Sequence, residues 1–193
     1  MQVTALNDQQ LIACYLEGNE RAFEELLNRH QQKIYTSIYL FVKDQSLAED
    51  IFQEVFIKII DTLRKGKYNH EGKFLQWAMR IAYNMCVDHF RRNKRRPQLS
   101  PTETFDIFDV LKSHDLNAEQ NIIRSQTHQK VRNLVDMLPP EQREVVILRH
   151  YADMSFKEIA KLTRVSINTA LGRMRYALIN IRKMVEEKDI VLQ

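Results

Sequence analysis

The residues best placed to do chemistry lie in SFKEIAKLTRVSINTALGRMRYALINIRK, residues 155–183. Ser155 and Glu158 form an S-x-x-E capping box, which predicts a helix start. A short helix over 156–162, a turn at Thr163-Arg164-Val165 and a further helix capped by Ser166 have the spacing of a helix-turn-helix. Ile159, Leu162 and Val165 are placed to pack against Ile167, Ala170, Leu171 and Met174. Ala160 is small where two helices must cross closely. Asn168, Thr169, Gly172, Arg173 and Tyr176 then remain for the outer face. The N-terminal half of such a second helix enters a DNA major groove. There Arg173 can pair with a guanine, and Asn168 with an adenine or a phosphate. A plain helical hairpin explains the pattern less well, because it needs neither a short capped first helix nor a basic surface.

A second constellation is FLQWAMRIAYNMCVDHFRRNKRRP, residues 74–97. Phe74, Trp77, Ala78, Ile81, Met85 and Cys86 can face a core. Arg80, Asn84, Asp88, Arg91 and Arg95 recur at three- and four-residue spacing on another face, and RRNKRR places five cations in six positions, which favours phosphates. Tyr68, Phe74, Trp77 and Tyr83 cluster near a loop at 65–72, and aromatics beside cations suit unstacked single-stranded bases. Core packing accounts for Phe74 and Trp77 equally well. A third stretch, AEDIFQEVFIKII (48–60), sets Asp50, Gln53 and Glu54 on one helix face, which could dock a basic partner helix or simply be solvated.

Catalysis finds little support. There is no glycine-rich phosphate loop, no H-E-x-x-H and no nucleophile elbow, and the six histidines are scattered singly. Cys14 and Cys86 lie far apart, without a CxxC pattern, so two ordinary thiols, no metal site and no cofactor are expected. No apolar run reaches the roughly 18 residues of a membrane span. The N-terminus has neither a basic head nor an apolar signal core, so a cytoplasmic location without membrane insertion is expected.

The elements that must position these residues are helices. Gly and Pro number four each in 193 residues, 44 % of residues are hydrophobic, and alternating β-type runs are few. The expected fold is all-α, with two small helical domains joined by an acidic linker. In the first body, Asp8 could cap a helix carrying Leu11, Ile12 and Tyr15, and Gly18-Asn19 breaks the chain. A second helix spans about 20–41. Ser46 and Glu49 suggest a capping box for a third over about 47–64, and a fourth starts near Lys73. Pro97 and Pro101 stop the pattern. Residues 97–123 are acidic, with an apolar patch at Phe105, Ile107, Phe108, Val110 and Leu111, and read as a linker. Extended, it reaches at most about 90 Å. A further helix covers about 120–137, and Pro140 begins the next. The net charge of +4 divides unevenly: residues 1–96 carry +3, 97–123 carry −4 and 124–183 carry +7. Two basic bodies joined by an acidic strap point to a polyanion partner for each body.

The three stretches, in this order, resemble the extracytoplasmic-function (ECF) sigma factors, the compact branch of the sigma-70 family. The resemblance covers about 9–96 and 125–185. It implies a four-helix sigma region 2-like domain over 9–96 that binds core RNA polymerase and the minus-ten promoter element. It also implies a flexible linker over 97–123 and a region 4-like helix-turn-helix domain over 124–186 that binds the minus-thirty-five element. Asp50, Gln53 and Glu54 match the surface that grips the polymerase. Asn84 matches a contact to a flipped base, and Arg91, Arg92, Lys94, Arg95 and Arg96 match phosphate contacts, alongside Arg80 and Asp88 on the same face. Ser166, Asn168, Thr169 and Arg173 match the major-groove helix. The implied partners are core RNA polymerase, promoter DNA as duplex and melted strand, and an anti-sigma factor. No catalytic activity of the chain's own is implied. The alternative reading is a stand-alone helix-turn-helix regulator. Two departures stand out. Arg164 occupies a turn position where the family usually has Gly, at a cost of about 1 kcal/mol if left-handed. Ala170-Leu171-Gly172 replaces a Val-Lys-Ser-like run, so the promoter sequence of related factors does not carry over.

Overall fold

The computed structural model describes residues 3–69, 72–94 and 130–187. All regular structure among them is helical: a short 3-10 turn at Val3–Ala5, then α1 (Asp8–Leu16), α2 (Glu20–Val42), α3 (Gln45–Arg64), α4 (Phe74–Lys94), α5 (described over 130–136), α6 (Pro140–His150), α7 (Phe156–Thr163) and α8 (Ile167–Glu187). The chain divides into two compact units, α1–α4 building the first and α5–α8 the second.

In the first unit α2 is the central helix, packed against α1, α3 and α4. Its buried residues include Leu26, Ile34, Ile38 and Leu40, which meet Leu11 and Ile12 of α1 and the Ile51, Val55, Ile59 and Leu63 row of α3. That row repeats every four residues, so one face of α3 turns inward and the opposite face stays in water. The N-terminal strap is tied down by Arg29, whose guanidinium donates to Leu6 O at 2.6 Å and Thr4 O at 2.9 Å.

Two helix starts differ from the sequence expectation. α1 is capped by Asn7, one residue before Asp8: Asn7 Oδ1 accepts from Gln10 N at 2.9 Å while Gln10 Oε1 accepts from Asn7 N at 2.9 Å, a reciprocal pair. α3 is capped by Asp44, whose carboxylate accepts from Leu47 N at 2.8 Å. Ser46 and Glu49 therefore lie inside the first turns, with Glu49 bonded instead to Gln45 Nε2. A carboxylate at that position also meets the positive end of the helix dipole, which a serine hydroxyl does not exploit. Lys43 just before it adopts φ +56, the left-handed bend that turns α2 into α3.

In the second unit α8 packs on both α6 and α7. The core is built from Leu134, Leu138, Val145, Ile147, Leu148, Ile159, Ala170 and Ala177. The Ser155 box forms as expected: Ser155 Oγ accepts from Glu158 N at 3.3 Å, and Glu158 Oε2 accepts from Ser155 N at 2.8 Å. α7 is only eight residues long, too short to hold itself as an isolated helix. Replacing Ser155 with Ala is therefore expected to cost about 1 kcal/mol. That loss should lower the unit's thermal midpoint by about 4–8 °C. Calorimetry of the full chain checks it, and an unchanged midpoint would show that tertiary packing alone holds α7.

Candidate nucleic-acid and partner interfaces

Three helix faces carry the residues singled out above. On α3, Asp50, Gln53 and Glu54 are all exposed, opposite the buried Ile51, Val55 and Ile59. One residue that the charge pattern did not reveal sits among them. Ile57, at i+3 from Glu54 and i+4 from Gln53, is 67 % exposed, the most open large hydrophobic side chain described. The face is therefore acidic and amide-bearing, with an exposed isoleucine among its polar groups. Its signal in the sequence was faint, because an isoleucine in an Ile-rich helix looks like core.

On α4, Arg80, Asn84, Asp88 and Arg91 follow at four, four and three residues and are exposed, as is Arg92. They make one stripe along the helix. Arg91 Nη1 lies 3.6 Å from Asp88 Oδ1, with both side chains more than half exposed, so solvent screens the pair and the arginine can turn to a phosphate at little cost. Lys94 ends the helix, and Arg95 and Arg96 lie outside the described residues, as do the linker and its apolar patch.

Of the two readings open for the aromatic cluster, core packing is the one observed. Tyr68 and Phe74 are buried, with ring centroids 6.3 Å apart, and Tyr68 stands 4.6 Å from Trp77. Tyr83 is buried too, but its ring partner is Phe41 of α2 at 5.6 Å. Of the four rings only Trp77 keeps partial exposure. The cluster is thus mostly the floor under the α4 stripe. Periodicity could not separate core from surface here, because aromatic rings suit both. Burial also pushes the Cys86 thiol up to about 12, so at neutral pH it is a protonated packing group rather than a nucleophile.

The helix-turn-helix is where its spacing predicts it. Ser166 Oγ accepts from Thr169 N at 3.0 Å and lies 2.8 Å from Thr169 Oγ1, so the two hydroxyls close the start of α8 together. Arg164 in the turn is left-handed, at φ +58 and ψ 42. A side chain there carries the strain that a glycine would avoid. Asn168 and Thr169 are exposed. Arg173 is placed otherwise than expected: it lies on the flank toward α6, with Nη1 3.4 Å from Glu144 Oε2 and its side chain 25 % exposed. Ile167 and Leu171 also depart from expectation. They do not pack under α7 but stand 46 % and 44 % exposed, because Ala170 and Ala177 are the residues that α8 turns inward. The 3.6-residue repeat leaves an ambiguity of one residue to either side of a packing face, and here the small side chains win since they let the helices approach closely. Arg175, seven residues after Asn168, is exposed on the same side.

Among the described residues, no group of three or more His, Cys, Asp or Glu side chains could hold a metal ion, and no helix is long and apolar enough to cross a membrane. Residues 26–96 match sigma-70 region 2, and residues 128–175 match sigma-70, region 4. The chain is 30 % identical over 176 residues to the RNA polymerase sigma-H factor of Pseudomonas aeruginosa, covering 89 % of this chain and 90 % of that one. It is 26 % identical over 188 residues to the ECF RNA polymerase sigma-E factor of Haemophilus influenzae, with 95 % of each chain covered. In fold it is similar to the sigma factor RpoE from Bartonella quintana, solved in complex with the anti-sigma factor NepR. There the TM-score is 0.64 at 16 % identity, covering 85 % of this chain and 96 % of that one. It is also similar to CnrH, solved with the cytosolic domain of CnrY, with a TM-score of 0.60 at 21 % identity over 93 % of this chain and 97 % of that one.

Proposed function

The chain belongs to the ECF branch of the sigma-70 family, and from that premise we propose how its two units divide the work of a sigma factor. It binds core RNA polymerase and directs it to promoters, where it takes part in local melting and transcription initiation. Its partners are the core enzyme, promoter DNA and an anti-sigma factor. The reading assigns residues 9–96 to polymerase and minus-ten binding, 97–123 to a linker, and 124–186 to minus-thirty-five binding. It supplies no bond-making chemistry of its own, phosphodiester synthesis being the polymerase's, and it works in the cytoplasm.

The observation that carries this reading is the exposure of three chemically distinct helix faces in one chain. The acidic-amide face of α3, with Asp50, Gln53 and Glu54, suits a basic helical surface of the polymerase. The α4 stripe, Arg80, Asn84, Asp88, Arg91 and Arg92, followed in the sequence by the cations Lys94, Arg95 and Arg96, suits a melted strand: the cations hold its phosphates and the amide of Asn84 pairs with an unstacked base. The capped helix-turn-helix, with Ser166, Asn168 and Thr169 on its open face and Arg173 on the flank toward α6, suits duplex DNA. Each surface is small, so the free protein is expected to bind DNA weakly and the holoenzyme tightly.

Run-off transcription with core polymerase on a cognate promoter tests the assignment. The expected result is a transcript that depends on the added chain, together with co-elution of chain and core in gel filtration. No dependent transcript and no co-elution would overturn it. Tight binding to a palindromic duplex without polymerase would instead favour a stand-alone regulator.

A further inference from the structure

On α8, Asn168, Leu171, Gly172 and Arg175 stand at i, i+3, i+4 and i+7 and so form one stripe of the helix surface. Asn168, Leu171 and Arg175 are exposed, and Ile167 flanks them. Packing within the unit explains neither the apolar nor the glycine member of the stripe, and a third feature lies beside it. Leu171 and Ile167 place large apolar side chains in water. Gly172 interrupts a 21-residue helix that an alanine would strengthen, yet a Cβ added there would meet nothing within 4 Å. Arg173, the first arginine within α8, is turned aside to Glu144.

Each peculiarity fits a duplex edge of one kind. The apolar feature of a major-groove edge is the C5-methyl of thymine, and an asparagine pairs bidentately with adenine. A guanine facing Leu171 would leave its O6 and N7 acceptors desolvated and unpaired. A glycine in the middle of the stripe lets the helix backbone come close to a ligand. We propose that the Asn168–Leu171–Gly172–Arg175 stripe reads an A·T-rich step. Leu171 covers a thymine methyl, Asn168 pairs with adenine, and Gly172 allows the close approach. Arg173 is a positioning residue that braces α8 against α6 through Glu144 rather than a reader of guanine. Arg175 follows on the same side, within reach of a phosphate.

The inference rests on the second unit being the reader of promoter duplex, and the test separates the two. Holoenzyme assembled from core polymerase and the full chain is selected on duplexes randomised across the upstream half of the promoter. The expected result is enrichment of A·T pairs at the positions protected by α8. Deoxyuridine is then placed at each enriched thymine in turn, which removes only the methyl group. Binding should fall by about fourfold at the contacted position, the loss of one buried methyl. A Leu171→Ala chain should show no such fall. Gly172→Ala should raise the thermal midpoint of the chain by about 4–8 °C while weakening promoter binding by about tenfold or more, the opposite signs expected if the glycine serves the ligand and not the fold. Arg173→Ala should lower the midpoint and leave the selected bases unchanged.

Enrichment of G·C pairs under α8, indifference to uracil, or full promoter binding by Gly172→Ala would each overturn the proposal while leaving the sigma-factor reading intact. So would a changed base preference in Arg173→Ala. Core binding without any enriched upstream element would remove the duplex-reading role of the unit, and the proposal with it.

Discussion

Replacing Asp50 and Glu54 together by lysine should weaken binding to core RNA polymerase by about 100-fold or more, with no loss of folding. Both side chains are exposed on α3 and make none of the buried contacts of that helix. Their removal therefore leaves the Ile51–Val55–Ile59 packing untouched. Reversing two charges against a complementary surface turns attraction into like-charge repulsion, which costs several kcal/mol. Each 1.4 kcal/mol is a factor of ten in affinity. Competition with wild-type chain for core, read by fluorescence anisotropy, measures the effect, and helical circular dichroism on heating confirms an intact fold. The deficit should grow at low salt, where the repulsion is least screened. Unchanged competition would place the polymerase contact on another face.

The second large effect is on stability. Phe74 is 2 % exposed and stands within ring-contact distance of His30 at 5.3 Å, Trp77 at 5.8 Å and Tyr68 at 6.3 Å. Its truncation to alanine opens a cavity under the start of α4, with an expected cost of about 3–5 kcal/mol. That is a large part of the roughly 5–15 kcal/mol that holds a typical domain together. The second unit has its own core around Leu138, Ile147 and Ile159. Hydrogen exchange followed peptide by peptide should therefore show protection lost across α1–α4 and kept across α6–α8. Equal loss in both units would mean that the two cores unfold as one. Promoter melting should fail with the first unit, because the α4 stripe depends on that aromatic floor for its placement.

Much of this was legible along the chain. The period-four row of α3, the Pro140 start of α6, the Ser155–Glu158 box and the helix-turn-helix are local patterns, written in residues three or four apart. Where two local signals competed, local pattern did not suffice. The Ser46–Glu49 pattern pointed to one cap for α3, and the left-handed bend at Lys43 places Asp44 there instead. At α1 the cap falls on Asn7 rather than on the expected Asp8, because Gln10 reaches back to Asn7.

The helix-turn-helix with which the sequence opened its case shows the division most clearly. The sequence by itself determined that a short capped helix, a turn and a longer helix would stand at 155–183, and that cations and amides would lie on their surface. These follow from hydrogen bonding and hydrophobic period, which act between near neighbours. Only the tertiary structure decided which side of α8 faces water. Once α6 and α7 took the small Ala170 and Ala177 as their contact, the helix was rotated so that Leu171 came outward and Arg173 fell against Glu144. That rotation depends on contacts between residues far apart in sequence, and a few tens of degrees of it determine which side chains are offered to DNA.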